Sequence, residues 1–227
     1  MDFINGEVLL IDKPLEWTSF DIVNKMRSII RGKLNVKKIK VGHAGTLDPL
    51  ATGLLIVCTG KMTKQIDTFQ AQKKEYITTL KIGATTPSFD RETEEDQTYE
   101  YSHITKELFE NALQQFIGEL EQMPPKYSAK KVDGKKAYEA ARNGEEIELK
   151  VNRIVINSIE LLSFNLPYVQ LKVDCGKGTY IRALARDIGK SLNSGAYLTE
   201  LRRTKIGEFN VENALEILEF EKIVNTL

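Results

Sequence analysis

Cysteine, histidine and net charge are all scarce in this chain. Two cysteines occur among 227 residues, Cys58 at the end of the apolar run LLIVC and Cys175 in VQLKVDC. Neither stands at a metal-ligand spacing from a neighbour, so the pattern gives no metal site and two buried free thiols are expected. The formal net charge is zero, with 32 basic and 32 acidic side chains. The field of the whole molecule therefore has no preference for nucleic acid, and any RNA-binding face has to be local. No run approaches the roughly 18 apolar residues of a membrane span. MDFINGEVLLIDKP also lacks the basic head and long apolar stretch of an export signal. A reducing, cytoplasmic compartment without membrane attachment is the expectation. Internal repeats and low-complexity tracts are absent.

What is present suffices for one core, and also fits one core with an appended piece: 41% of the residues are hydrophobic, and a single domain over 1–227 is the expectation. Charge is unevenly placed along it. Residues 1–86 carry 13 Lys or Arg against 8 acids, 87–125 carry 2 against 10, and 126–227 carry 17 against 14. The acidic excess sits in one stretch between two net basic ones, which can together face phosphates. Within that stretch TPSFDRETEEDQTYEY shows neither periodicity nor ligand spacing, and reads as a solvated loop.

Strand and helix signals alternate irregularly. EVLLIDKP reads as a short strand stopped by Pro14, after which Thr18 or Ser19 caps an amphipathic helix over about Phe20 to Arg31. LLIVCTG is a compact apolar strand, and Lys61 to Gln70 reads as a helix. KEYITTLKIG alternates polar and apolar residues as a half-buried strand does, with Tyr76 and Ile77 facing opposite ways. Thr105 caps a helix to about Phe116. VNRIVINSIELLSF and YVQLKVDC read as strands flanking Pro167, and Ile181, Leu184, Ile188 and Leu192 give the next helix an apolar side. YLTELRRTKIG reads as a strand, followed by a short helix near Val211 to Phe220. Hairpin-like neighbours favour a mixed α+β fold over a doubly wound parallel sheet.

Chemistry concentrates in GHAGTLDPLATG. One imidazole, His43, and one carboxylate, Asp48, stand five residues apart and are bracketed by Gly42, Gly45 and Gly53. Small residues let a bulky ligand approach the backbone closely. The Gly-Lys-Ser/Thr ending of a phosphate-binding loop is missing. So is the second aspartate, two residues on, that aspartate-dependent phosphotransferases use. On pattern alone Asp48 is equally a cap of the turn at Pro49, and His43 a hydrogen-bonded loop residue.

GHAGTLDPLATGLLIVCTGKMTK resembles the signature of the TruB family of tRNA pseudouridine-55 synthases. Further matches follow in order: LLIDKP near the start, KEY at 74–76, YSAKKVDGKKAYEAAR at 127–142, GKGTYIRALARDIG at 176–189 and LRRTKIG at 201–207. Several unlinked motifs in one order are far more specific than one short match. The resemblance implies a pseudouridine synthase catalytic fold, with a mixed, largely antiparallel central sheet flanked by helices. It implies Asp48 as the catalytic nucleophile and Arg182 as its charge partner. His43 would contact the remodelled target loop, Tyr76 would stack on the target base, and Tyr180 and Leu201 would wall the nucleotide site. Without the resemblance, Tyr76 and Tyr180 read equally as core residues and Arg182 as a surface ion pair.

The implied reaction turns uridine into pseudouridine at position 55 in the T-loop of tRNA. Substrate and product are isomers, so the chemistry calls for no cofactor and no metal. The target base is stacked inside the tRNA elbow, and extruding it costs on the order of a few kcal/mol. Phosphate contacts have to offset that cost. Lys13, Lys64, the basic loop 31–40, and Lys130, Lys131 and Lys135 in an RNA-gripping insertion at about 124–150 are the candidates. Read alone, they are ordinary solvated lysines. Many family members carry a C-terminal RNA-binding PUA domain, which this chain is expected to lack. A monomer acting without guide RNA is therefore preferred over a guide-dependent synthase, whose type relies on that domain and on protein partners. A non-catalytic RNA chaperone leaves the joint presence of Asp48, Tyr76 and Arg182 unexplained, and an unrelated aspartate hydrolase would need a metal or an acid pair that the sequence does not offer.

Overall fold

The computed structural model describes residues 1–127, 131–132, 135–136 and 149–226. Lys130, Tyr138 and most of the insertion expected at about 124–150 lie outside these residues. The chain forms two compact units, Met1–Ile77 with Leu201–Leu227, and Thr78–Glu200.

In the first unit strand β1 (Val8–Lys13) leads to helix α1 (Ser19–Leu34). Thr18 caps this helix. Its hydroxyl accepts from Asp21 N, and the Asp21 carboxylate accepts from Thr18 N, so two orphan donors of the first turn are satisfied reciprocally. The helix continues past the predicted end at Arg31 until Asn35, with φ 51°, folds its own N–H back onto Arg31 O. Strands β2 (Val41–His43) and β3 (Ala51–Thr59) follow, and β3 pairs antiparallel with both β1 and β2. β3 is buried on both faces, which is why it reads as an unbroken apolar run. Leu55 and Val57 join Ile22, Met26 and Ile30 of α1 in one cluster, while Leu54, Ile56 and the free thiol Cys58 join Ile206 in another. Where the sequence predicts one helix over 61–70, a 3-10 segment Gly60–Gln65 precedes a short α2 (Ile66–Ala71).

Strand β4 (Lys74–Ile82) runs from the first unit into the second. Its burial alternates residue by residue, with Tyr76 buried and Ile77 half-buried, as the sequence alternation predicts. In the second unit β5 (Ala84–Thr85) and β6 (Gln97–Thr98) pair across the acidic segment. Helix α3 (Lys106–Gln114) begins at Thr105, whose hydroxyl accepts from Leu108 N. After β7 (Gly118–Gln122), a hairpin of β8 (Lys131–Val132) and β9 (Lys135–Lys136) is followed by β10 (Asn152–Asn165), β11 (Tyr168–Cys175) and helix α4 (Ile181–Ser191). β4, β11, β10 and β7 are neighbours in that order, with β10 antiparallel to β11 and to β7. Ile181, Leu184, Ile188 and Leu192 are all buried, so the predicted apolar side of α4 is its packed side.

Strand β12 (Ala196–Ile206) returns to the first unit. There Leu201, Arg202 and Arg203 pair in parallel with Ala51, Thr52 and Gly53 of β3. The short β13 (Phe209–Asn210) and helix α5 (Ile217–Thr226) complete the unit. α5 starts later than the predicted Val211 because the chain before it is bonded to β1: Leu215 N donates to Leu10 O and Asp12 N to Leu215 O. The class is the predicted one, mixed α+β with largely antiparallel strands, β12 and β3 being a parallel pair.

Candidate active site

Asp48 lies half-buried in loop 44–50 between β2 and β3. Hydrogen bonds hold this loop at Ala44, Gly45, Leu47, Asp48 O and Pro49. Ala44 N donates to Ile56 O at 2.9 Å, and Gly45 O accepts from Arg203 Nη2 at 3.2 Å. Ser19 Oγ accepts from Leu47 N at 2.9 Å and donates to Leu47 O at 3.2 Å. Pro49 O accepts from Glu16 N at 2.8 Å and from Lys13 Nζ at 3.3 Å. Ala51 N closes the loop on Asp48 O at 3.0 Å. Gly45 adopts φ 101°, a left-handed conformation that only glycine enters without strain. The backbone that carries Asp48 is thus fixed from β1, α1 and β12. That is the preorganisation a reacting carboxylate needs.

The phosphate contact expected of Lys13 is overturned. Its side chain is fully buried, 0% exposed, and Nζ donates to the carbonyls of Pro14 at 2.8 Å, Trp17 at 2.6 Å and Pro49 at 3.3 Å. Burial lowers its pKa to about 8 against the pull of the Asp48 carboxylate, and the positive charge of Arg203 lowers it further. An ammonium so enclosed cannot reach a phosphate. It braces the loop instead. Lys64 is exposed on the 3-10 segment and remains available to an anion.

His43 ends β2. Burial lowers its pKa, the Gly45 backbone acts in the opposite direction, and Arg203 adds to the lowering. Its buried Nδ1 makes no well-formed hydrogen bond among the described residues. A neutral imidazole is the favoured form. Tyr76 sits on β4, and Leu201 on β12 is in register with Ala51, three residues after Asp48. All of these belong to the first unit.

Tyr180 and Arg182 belong to the second unit. Tyr180 precedes α4, and Gln122 holds its backbone from both sides: Tyr180 N donates to Oε1 at 2.9 Å and Nε2 donates to Tyr180 O at 3.1 Å. Arg182 is 4% exposed, so it is not a surface cation. Nη1 faces Asp90 Oδ2 at 3.4 Å and donates to Ser88 O at 3.2 Å, and Nη2 donates to Tyr127 O at 2.8 Å. Asp90 and Ser88 lie in the stretch read from sequence as solvated, yet both are buried. Sequence reasoning missed them, as it missed Gln122, Ser19 and Arg203. The one available signal was their place beside motifs already singled out. Lys131 and Lys135 lie on β8 and β9, and Lys130 falls outside the described residues.

Two family models match the chain. TruB family pseudouridylate synthase (N terminal domain) covers residues 31–181, and tRNA pseudouridylate synthase B C-terminal domain covers 182–226. Among curated relatives, the tRNA pseudouridine synthase B of Phocaeicola vulgatus is 62% identical over 97% of this chain and 94% of its own length. The same-named protein of Parabacteroides distasonis is 60% identical over the same shares. Among solved structures, the fold is similar to that in a crystal structure of a Cbf5-Nop10-Gar1 complex, with TM-score 0.72 and 25% identity. That match covers 97% of this chain, which spans about half, 54%, of the solved one. From the braced aspartate loop to the near-full-length relatives these observations agree, and the chain belongs to the TruB family of pseudouridylate synthases.

Proposed function

We propose that this chain converts uridine to pseudouridine in tRNA, at position 55 of the T-loop, with Asp48 as nucleophile on a flipped-out base and without a guide RNA. The observation that carries the proposal is the bracing of loop 44–50. A carboxylate that merely capped the turn at Pro49 would not need buried groups from three other elements to fix its backbone. The names of the similar relatives support tRNA as the substrate.

The reaction breaks the bond between ribose C1′ and uracil N1, rotates the base, forms a bond from C1′ to C5, and removes the C5 proton while N1 takes one up. Three routes are open to the Asp48 carboxylate: addition to C1′, addition to the uracil ring, or assistance to departure of the base through a glycal. Each requires the carboxylate at a fixed place while the base turns. Tyr76 offers a π face to the uracil, a contact worth about 1–3 kcal/mol. It is also the candidate for the final proton transfer from C5. Leu201 and Tyr180 wall the nucleotide, and a neutral His43 meets the opened loop. Arg182 is assigned as the charge partner of Asp48; Asp90 and two carbonyls fix its guanidinium. The phosphates fall to Lys64, the exposed basic residues of 31–40 at the end of α1 and beyond it, and Lys130, Lys131 and Lys135. The enzyme works as a cytoplasmic monomer. Among the described residues no helix is long and apolar enough to cross a membrane.

The test uses purified protein and an unmodified tRNA transcript carrying tritium at uracil C5. Release from position 55 by protein alone is the expected result. No release from folded protein, or release only when a guide RNA is added, overturns the proposal. Asp48→Asn and Asp48→Ala should abolish release and leave tRNA binding intact.

A further inference from the structure

Strand β12 brings a second arginine to the first half of loop 44–50. Arg203 is 1% exposed, and among the described residues its guanidinium is bonded to carbonyls: Nε donates to Leu54 O at 2.7 Å and Nη2 to Gly45 O at 3.2 Å. Burying a guanidinium is costly, and it cannot shed its proton to escape the cost. Joining β12 to β3 does not require it, because the parallel register from Leu201–Ala51 to Arg203–Gly53 already does so. Gly53, at φ 102°, brings the strands so close that a Cβ there would lie 2.3 Å from Arg203 O. What the side chain adds is a span from β3 to the loop. Ser19, Glu16 and Lys13 hold the loop at Leu47 and Pro49; Arg203 holds it at Gly45, three residues before Asp48. Leu201 lies two residues earlier on the same strand, hence on the same face as Arg203.

We propose that Arg203 is a positioning residue for the isomerisation: by tying Gly45 O to Leu54 O it fixes where the Asp48 carboxylate stands. The proposal rests on Asp48 being the nucleophile. Arg203 touches no substrate in this role, and its effect runs through the loop backbone. A second effect is electrostatic. Its permanent charge favours the neutral form of His43, the same direction in which burial acts, while the Gly45 backbone opposes both. Of the elements packed on β2, β3 carries no charged side chain, α1 places Arg27 on Val41 O, and the 3-10 segment carries Lys61, bonded to Asn5 Oδ1, and the exposed Lys64. Arg203 is the charged group that shifts the imidazole.

Arg203→Met and Arg203→Lys are compared with wild type by single-turnover tritium release, tRNA binding and NMR titration of the imidazoles. The chain has two histidines, so His103 serves as an internal control. In Arg203→Met the release rate should fall about 100-fold, the scale of a misplaced reacting group, with Kd for tRNA changed by less than about threefold. The His43 midpoint should rise. Arg203→Lys keeps the charge but lacks the two-armed reach, so its His43 midpoint should return toward wild type and its rate should lie between the other two. A folded Arg203→Met with a wild-type release rate overturns the proposal. If Arg203→Met does not fold, Arg203→Lys decides alone: a reduced rate at unchanged Kd supports the clamp, and a wild-type rate removes it. Should Asp48→Asn retain turnover, the nucleophile assignment fails instead, whatever the Arg203 variants do.

Discussion

Loop 44–50 and segment 86–96 both connect strands and carry acids, Asp48 in the one and Asp90 in the other, but they are stiffened differently. Loop 44–50 is held from outside. Ser19 from α1, Lys13 from β1 and Arg203 from β12 reach into it and bond to its backbone. Segment 86–96 is held from within as well as from outside. The hydroxyls of Thr86 and Ser88 both donate to Asp90 O, and Asp90 Oδ1 accepts from Glu92 N at 2.9 Å. Phe89 turns through φ 62°, with the guanidinium of Arg186 at 5.1 Å from its ring centroid. The first aspartate is placed by its surroundings; the second does the placing, as the partner of Arg182.

The sharpest way to break this contrast is Asp90→Ala. It removes the Asp90 carboxylate from beside the buried Arg182, and removing one partner of a buried pair costs about 3–5 kcal/mol. Urea unfolding should register that loss, and a stability within error of wild type would make segment 86–96 as dispensable as its composition suggests. Ser19→Ala comes next. It removes both bonds to Leu47, and each unsatisfied buried group costs about 1–3 kcal/mol. The tritium-release rate should fall while tRNA binding stays constant, because the brace acts on placement.

A pH measurement separates the regions further. The hydrogen bond from Lys81, and then that from Tyr197, hold the Glu95 carboxyl below the usual glutamate range. A carboxylate with a lowered folded pKa contributes stability above about pH 4.5 and loses it as the pH falls through the folded value. Glu95→Gln should therefore flatten the acid-side decline of stability, read by denaturant melts from pH 7 to 3. An unchanged decline would show that the anchor of this segment is unimportant. The smallest effect concerns salt. Lys64→Ala should lower the slope of log K against log salt for tRNA binding by about 1, as one lost phosphate contact does. Lys13→Met should leave the slope unchanged, and a reduced slope there would restore it to the RNA surface.

Much of the fold was legible because one-sided burial writes a period into the sequence. β4 alternates, α4 shows an apolar side, and β3, covered on both faces, shows an unbroken run. The helix start at Thr18 was legible from its capping chemistry, whereas the end at Asn35 depends on one left-handed residue that few side-chain signals announce. The aspartate loop was legible through its motif. Its braces were not, since Lys13, Ser19 and Arg203 are buried by long-range contacts and a buried lysine or arginine looks like any surface charge until its carbonyl partners are known. Asp90 was hidden for the same reason: in a run of acids, the buried member is chosen by Arg182, far along the chain.

Gly53 carries a practical consequence for anyone redesigning this enzyme. In a saturation library it should be as intolerant as a reacting group, because any side chain there would be driven into the β12 backbone. A map of forbidden substitutions would then trace a strand crossing and the chemistry together, without distinguishing them. Grafting the aspartate loop onto another scaffold would require transplanting that crossing with it.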